Sequence, residues 1–196
     1  LLIGFMAIRP LRSIGSRVSV NALHKDLQAQ RIAVGKDQVY SQLAHVEDAF
    51  LAFLLPLHAN SERRRQMNPR KAYAIDHGLV RACTPGRDSD VGHHLENLVF
   101  IELRRRGDVP GYHLNEDGSE VDFVAATKPG DERLIQACAD LGDPATRARE
   151  LAALAAAVRE TGIANATIVS LAEEAEPEHD GVRIRIVPAW RWLLES

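Results

Sequence analysis

The chain has 196 residues, of which 45% are hydrophobic and 26% are charged, a composition typical of a globular protein with one large or two small domains. Its formal net charge of −3 excludes a uniformly basic surface, so any contact with nucleic acid has to come from a local patch. Cys83 and Cys138 lack the spacing of metal ligands, which argues against a zinc site or a disulfide framework and predicts a reducing, cytoplasmic location. No apolar run approaches the ~20 residues that cross a bilayer, so no membrane contact is expected.

The sequence opens with a short apolar segment, residues 1–8, which predicts a first helix. The segment has no initiator methionine, and Arg9-Pro10 follows it without the small-residue cleavage site of a signal peptide. Our interpretation is that the chain is a piece of a longer protein, in which this first helix continues a segment from upstream.

Residues 1–80 show the order of elements of a winged helix-turn-helix. Ser19 is placed as the N-cap of one helix, and a second helix starts at Lys36 after a short connection. The apolar stripes of the two helices are Val20, Leu23 and Leu27, and Val39, Leu43 and Val46. An apolar run over 50–57 and a strand over 71–76 then predict a two-stranded hairpin with a charged tip, the wing.

A basic cluster forms the tip of this predicted wing in an otherwise acidic chain. Together with one lysine at the start of the second helix, it supplies candidate contacts to DNA phosphates, which are Lys36, Arg63, Arg64, Arg65, Arg70 and Lys71. Contacts of this kind are blind to base sequence and weaken as salt is added. The same residues also suit an exposed loop kept in solution by its charge, or a surface that docks on an acidic partner domain.

The second domain is predicted over 81–196, after a loop rich in Gly, Pro, Asp and Ser over 78–90. Asp143 and Pro144 suit the N-cap and first position of a helix that Gly162 ends. The predicted elements are a helix over 91–103, strands over 111–114, 120–125 and 134–138, a helix over 144–161, strands over 166–170 and 182–186, and a helix over 189–194. This order is αβββαβ with an added strand and helix, an α+β domain.

The strand that begins at Glu120 carries two carboxylates on one face. Glu120 and Asp122 alternate with apolar residues, and a Pro-Gly turn leads into a partner strand that contains Gln136. Clustered oxygen ligands are what Mg²⁺ or Mn²⁺ requires. Glu96 lies beside the apolar stripe of the preceding helix, so it either pairs with a base or faces a metal shared with the hairpin. The simpler interpretation of the two strand carboxylates is the solvated face of an antiparallel sheet.

The element order, with a glutamate on the first helix and an aspartate on the second strand, resembles the core of the PD-(D/E)xK restriction-endonuclease-like superfamily. The chain further resembles the C-terminal domain that follows the nucleotide-binding domain in prokaryotic AAA-type ATPases. The residues that match are 94–100, 102–103, 118–124 and 136–141, followed by Thr146, Arg149 and Glu150. There, a winged helix precedes this domain and ends in a Tyr-x-x-Asp-x-Gly-Leu stretch. The matching residues here are Tyr73, Asp76, Gly78 and Leu79.

The resemblance implies a site for Mg²⁺ or Mn²⁺. By position, Glu96 and Asp122 would hold the metal, Gln136 would add a ligand, and Glu120 would be an auxiliary carboxylate. Cys138 stands where the superfamily has a lysine that positions or activates the attacking water. A thiol supplies neither a cation nor a good Mg²⁺ ligand, so the resemblance implies a retained fold with weak or lost nuclease activity. Arg147 or Arg149 could clamp a phosphate, but arginine stays protonated and is a poor general base.

Three functions are compatible with these features. The favoured one is a DNA- or partner-recognition appendage of an AAA-type ATPase. ATP would bind only to the absent ATPase domain of the same parent chain, because no G-x-x-x-x-G-K-[ST] loop occurs in this sequence. The second is an active Mg²⁺-dependent DNA nuclease that uses Glu96, Asp122 and Gln136. The third is a protein–protein interaction module that forms a homo-oligomer.

Overall fold

Helices and strands are interspersed along the chain in the computed structural model, which describes residues 2–59, 61–84 and 90–195. The mixed α and β class predicted from the sequence is therefore confirmed. The chain divides into unit 1, Leu1–Asp90, and unit 2, Val91–Ser196, whereas the sequence predicts the boundary at residue 80. Within the described ranges, the structure contains no helix with the length and hydrophobicity needed to traverse a lipid bilayer.

Unit 1 is built from helices around a small antiparallel sheet. Its elements are α1 (Leu2–Leu11), β1 (Arg17–Val18), α2 (Val20–Ala29), α3 (Lys36–Asp48), β2 (Ala52–Leu55), α4 (Glu62–Met67), β3 (Arg70–Ala74) and α5 (His77–Cys83). The Ser19 hydroxyl accepts from the Ala22 N–H at 3.1 Å, which confirms the predicted N-cap of α2. Leu23 and Leu27 of α2 are buried in the same apolar core as the predicted stripe of α3.

The sheet of unit 1 has the strand order β1-β3-β2, so β3 is its central strand. The predicted hairpin is formed by β2 and β3, but its tip is the short helix α4 instead of a loop. Ser61 caps this helix by accepting from the Arg64 N–H at 3.4 Å, and Arg65 pairs with Glu62 one turn earlier. These local contacts make a helix of a segment whose charge density alone indicates a loop.

The prediction of a loop over 78–90 is wrong for residues 78–83, which belong to α5. Asp76 Oδ1 accepts from the Leu79 N–H at 3.0 Å, and this N-cap starts the helix. Val80 then packs into the core of unit 1. Residues 85–89 of the predicted loop lie outside the described residues.

Unit 2 is a mixed sheet with helices on its faces. Its elements are α6 (Val91–Arg105), β4 (Gly111–Leu114), β5 (Glu120–Ala125), β6 (Arg133–Ala137), α7 (Pro144–Thr161), β7 (Ala166–Ser170), β8 (Glu178–His179), β9 (Val182–Arg183), β10 (Arg185–Pro188) and α8 (Ala189–Leu194). The strand order is β10-β7-β6-β5-β4. Strands β4, β5 and β6 pair antiparallel, whereas β6, β7 and β10 pair parallel. The parallel pairing of β6 and β7 requires a crossover, which α7 provides.

The strand predicted over 182–186 is divided in the structure. Its first residues form β9, which pairs only with β8 in a small hairpin, and its last residues belong to β10 at the edge of the main sheet. The predicted ends of α7 are confirmed, since Asp143 Oδ2 accepts from the Thr146 N–H at 2.8 Å and Gly162 adopts a left-handed φ of 76°.

Helices α6 and α7 cover opposite faces of the β5–β6 hairpin. The ring of Phe123 on β5 lies 6.5 Å from that of Phe100 on α6, centroid to centroid. Val124, the next residue along the strand, packs in the core cluster that contains Leu154 of α7. Because side chains alternate along a strand, Asp122 lies on the α7 side of the sheet.

Candidate functional site

Strands β5 and β6 separate at Asp122 and Gln136. The ladder between them runs only as far as Phe123, which faces Ile135. Beyond that pair, side chains replace the ladder: the Asp122 N–H donates to Gln136 Oε1 at 3.0 Å, and Asp122 Oδ2 accepts from the Ala137 N–H at 2.9 Å. These bonds satisfy two backbone groups that the separated strands leave without a ladder partner. They also fix both side chains at the opening.

A chain of hydrogen bonds leads from this opening to the protein surface. Gln136 Nε2 donates to Glu150 Oε2 on α7 at 2.9 Å. Arg149 donates to Glu150 Oε1 through Nε at 3.2 Å and through Nη2 at 2.7 Å. Gln136 and Glu150 are each 8% exposed, whereas the side chain of Arg149 is 68% exposed. We refer to Asp122, Gln136, Glu150 and Arg149 as the polar cluster.

Glu150 belongs to this site, although the sequence alone predicts no role for it. Its signal in the sequence is its position directly before Leu151 and four residues before Leu154, on the stripe of α7 that is buried. A carboxylate on the apolar face of a helix needs a partner, because burying it without hydrogen bonds is costly. The partner that the fold supplies is Gln136.

The other two predicted carboxylates belong to neighbouring elements. Glu96 is 7% exposed and lies on α6 one helical turn before Phe100, on the side of the helix that faces the sheet. Glu120 is half-buried at the start of β5, where it faces Leu114 of β4. Across residues 2–59, 61–84 and 90–195, no three His, Cys, Asp or Glu side chains form a group that could hold a metal ion.

The polar cluster fits a hydrogen-bonded arrangement better than a magnesium centre. Mg²⁺ requires a nearly octahedral set of oxygen ligands. Asp122 Oδ2 and Gln136 Oε1 each accept from a backbone N–H, and Glu150 accepts from Gln136 and Arg149. Of the ligands that the resemblance implies, Asp122 and Gln136 are joined to each other and to α7 by these bonds, whereas Glu96 lies on α6, which packs on the opposite face of the hairpin.

Cys138 lies beside the cluster as a protonated thiol. Its side chain is buried, and Sγ donates to the Asp140 carbonyl at 3.4 Å. Burial raises the pKa of this thiol, and the nearby Glu150 carboxylate raises it further. The residue therefore supplies neither a positive charge nor a reactive thiolate at neutral pH.

The basic residues predicted to contact DNA differ in their accessibility. Lys36, Arg63 and Arg64 are exposed on unit 1. Arg65 donates hydrogen bonds to the Glu62 carboxylate and to the Ala59 carbonyl. The bonds to Glu62 lower the pKa of that carboxyl. The guanidinium of Arg70 lies 3.9 Å from the Glu47 carboxylate.

Lys71, which the sequence predicts to contact DNA phosphates, is buried in the structure. It is 1% exposed, because β3 is the central strand and Lys71 is flanked by Arg17 on β1 and Leu55 on β2. Its ammonium group lies 6.0 Å from the centroid of the Tyr73 ring, two residues along the same face of the strand. The prediction that Lys71 contacts DNA phosphates is wrong, since a buried ammonium cannot reach them.

Comparison with known proteins finds longer relatives. The chain is 28% identical over 204 residues to the uncharacterized protein MJ1544 of Methanocaldococcus jannaschii, a match that covers 95% of this chain and 44% of that protein. It is 27% identical over 116 residues to an uncharacterized protein of Haemophilus influenzae, covering 58% of this chain and 28% of that protein. The chain thus spans less than half the length of these curated relatives. No family model and no solved structure matches it.

Proposed function

We propose that the chain is the nucleic-acid recognition part of a longer prokaryotic AAA-type ATPase. Unit 1 is its winged helix-turn-helix, and unit 2 is a PD-(D/E)xK-like domain that has kept the fold and lost the cleavage chemistry. ATP binds to the nucleotide-binding domain of the parent chain, outside the residues described above.

The main support for DNA recognition is the set of exposed cations on unit 1. Lys36 begins α3, and Arg63 and Arg64 lie on α4 at the tip of the β2–β3 hairpin. Cations at these positions supply the sequence-independent attraction to phosphates that dominates the affinity of proteins for DNA. The order α2, α3, β2, β3, with β1 as a third strand, supports assigning them to a winged helix-turn-helix.

The topology of unit 2 supports its assignment to the nuclease-like superfamily. The order α6-β4-β5-β6-α7-β7 is the αβββαβ order that the resemblance implies. The strands that carry Asp122 and Gln136 separate where the superfamily site would lie.

The polar cluster supports the loss of cleavage. Asp122 and Gln136 are held by backbone and side-chain hydrogen bonds, and Cys138 leaves the position of the lysine without a cation. Phosphodiester hydrolysis needs stabilisation of developing charge and a positioned nucleophile, and these residues provide neither. The length of the relatives supports the last element of the proposal, a parent chain with a further domain.

The test combines plasmid nicking with DNA binding. The protein and its Asp122→Ala and Asp122→Asn variants are incubated with supercoiled plasmid and Mg²⁺ or Mn²⁺, and binding of a labelled duplex is titrated at several salt concentrations. We expect no nicking above the level of the variants. We expect duplex binding that weakens with a log–log salt slope of about −2 to −3, because each phosphate contact contributes about 0.9.

Each other outcome selects a different function. Metal-dependent nicking that both variants lose would make the protein an active nuclease. Absence of binding at low salt, together with a stable homo-oligomer in analytical ultracentrifugation, would favour the protein–protein module and remove the proposal.

A further inference from the structure

We infer that unit 1 takes up an unpaired base of single-stranded nucleic acid in a groove between α3 and α4. The groove is a cavity of about 260 Å³ within unit 1. Its walls come from α3, α4, the start of α2 and strand β2, and include Asn21, Tyr40, Leu43, Leu54, Gln66 and Met67. This inference rests on the proposed function and specifies single-stranded nucleic acid as the ligand of unit 1.

Two exposed cations of unit 1 flank this α3–α4 groove. Lys36 precedes Tyr40 by one helical turn on α3, and Arg63 precedes Met67 by one turn on α4. Each exposed cation therefore continues a helix face that lines the groove. At the far end, Glu47 and Arg70 form an ion pair at 3.9 Å, so the acidic residue of the lining is neutralised. Lys36 and Arg63 are therefore placed to contact phosphates on either side of a base held in the groove.

The lining suits a planar base better than a protein side chain. Tyr40 is 55% exposed, an unusual position for a large aromatic ring that has no role in the core, and it offers a flat face for stacking. The amide nitrogens of Gln66 and Asn68 donate to Glu62 Oε1 at 3.0 Å and to the Arg64 carbonyl at 2.7 Å. Their amide oxygens are left to accept from a donor on the edge of a base, such as the N3–H of thymine or an exocyclic amino group.

The size of the groove points to one ring system. Its volume of about 260 Å³ lies below the ~300–1,000 Å³ of pockets that enclose drug-sized ligands. A base in a duplex is stacked and paired, so it cannot enter such a groove without the cost of unstacking. Single-stranded nucleic acid offers the base without that cost and provides phosphates on either side for Lys36 and Arg63.

The experiment measures fluorescence anisotropy of the whole chain with labelled dT15 and with a labelled hairpin duplex. We expect dT15 to bind more tightly than the duplex. Tyr40→Ala should weaken dT15 binding roughly tenfold, within the range of base–aromatic stacking, and Tyr40→Phe should stay within about twofold. The double variant Lys36→Gln with Arg63→Gln should reduce the salt slope by about 1.4, since each contact to a single strand contributes about 0.7.

Two variants in unit 2 serve as matched controls. Trp190 is 62% exposed on α8, and Lys128 is exposed in the turn between β5 and β6. Trp190→Ala and Lys128→Gln should leave dT15 binding unchanged. Far-UV circular dichroism of every variant checks that the fold is intact.

The outcomes separate this inference from the proposed function. Duplex binding with the expected salt slope, together with unchanged dT15 affinity in Tyr40→Ala, would overturn the base-binding groove and leave the DNA-recognition proposal standing. Equal displacement of dT15 by poly-glutamate would also overturn it, because the groove would then recognise charge alone. Failure to bind either oligonucleotide at low salt would overturn both proposals.

Discussion

Glu150 connects a buried amide to an exposed guanidinium, and the two contacts differ in their energetic weight. Gln136 is buried, so its Nε2–H has lost water and depends on Glu150 as its acceptor. The guanidinium of Arg149 is mostly exposed, so water can replace Glu150 as its partner. The free energy of the cluster is therefore concentrated in the link between strand β6 and helix α7.

Glu150→Ala should lower the free energy of unfolding of unit 2 by about 1–3 kcal/mol, the cost of leaving a buried donor unpaired. Arg149→Ala should lower it by about 0.5 kcal/mol or less, as for an exposed ion pair. Both tryptophans, Trp190 and Trp192, belong to α8, so urea unfolding followed by tryptophan fluorescence reports on unit 2. Equal losses in the two variants would contradict this assignment of the energy.

The sequence could predict half of this site. The alternation of β5 and the turn after it place Asp122 and Gln136 on paired strands, and Cys138 follows by spacing. Glu150 could not be assigned, because its role depends on where α7 lies on the sheet. The burial of Lys71 could not be predicted either. It depends on the pairing of β3 with β1, a strand from a distant part of the sequence.

At the scale of elements, Glu102 and Arg106 connect the end of α6 to α8. Glu102 accepts from Arg105 and from Arg106, in three hydrogen bonds of 2.7 Å. Arg106 also lies over the ring of Trp192, with its guanidinium 4.3 Å from the centroid, and donates to the Trp192 carbonyl. Glu102 thereby holds Arg106 against the last helix of unit 2.

The Glu102 carboxyl should give unit 2 a measurable acid dependence. The hydrogen bonds from Arg105 lower its pKa in the folded state, so its stabilisation is complete above the ordinary value of about 4.3 and is lost as the pH falls through the lowered value. Glu102→Gln should cost about 1–2 kcal/mol at pH 7, with the difference shrinking below about pH 4.

Urea unfolding by tryptophan fluorescence between pH 3 and pH 7 checks this expectation. Glu116→Gln, at an exposed position in the turn after β4, is the control and should behave as the parent does. A difference for Glu102→Gln that stays constant down to pH 3 would argue against the ionised pair.

Most elements of the fold could be predicted, and the failures have local causes. The signals of α2 and α7 are side-chain caps and apolar stripes, and both helices form as expected. Helices α4 and α5 could not be predicted, because each has only six or seven residues and starts from a single side-chain cap, Ser61 or Asp76. The division between β9 and β10 could not be read from alternation, because pairing partners decide it.

At the scale of the whole molecule, unit 2 contains all the parts of an independent domain. It has its own sheet and an apolar cluster in which β5, β6, α7 and β10 contribute buried side chains. The described residues of unit 1 have a separate core, formed around α2 and α3. A domain with its own core and complete strand pairing is able to fold alone.

Residues 91–196 expressed alone should therefore unfold cooperatively in urea, with an m value of about 1 kcal/mol/M or more by tryptophan fluorescence. Residues 111–196 should not, because deletion of α6 removes Val99, Phe100 and Leu103 from the face of the sheet. A gradual, non-cooperative transition of residues 91–196 would show that the unit needs the rest of the chain.

The parallel pairing of β10 with β7 has a consequence for synthesis. The sheet of unit 1 can close as soon as Ala74 leaves the ribosome, and domains generally fold in this N-to-C order. In unit 2, the edge of β7 with its buried Ile168 and Val169 stays uncovered until β10 emerges. A nascent chain that stops before Arg185 therefore carries an open apolar strand edge, so premature termination here yields an aggregation-prone product instead of a shortened, folded domain.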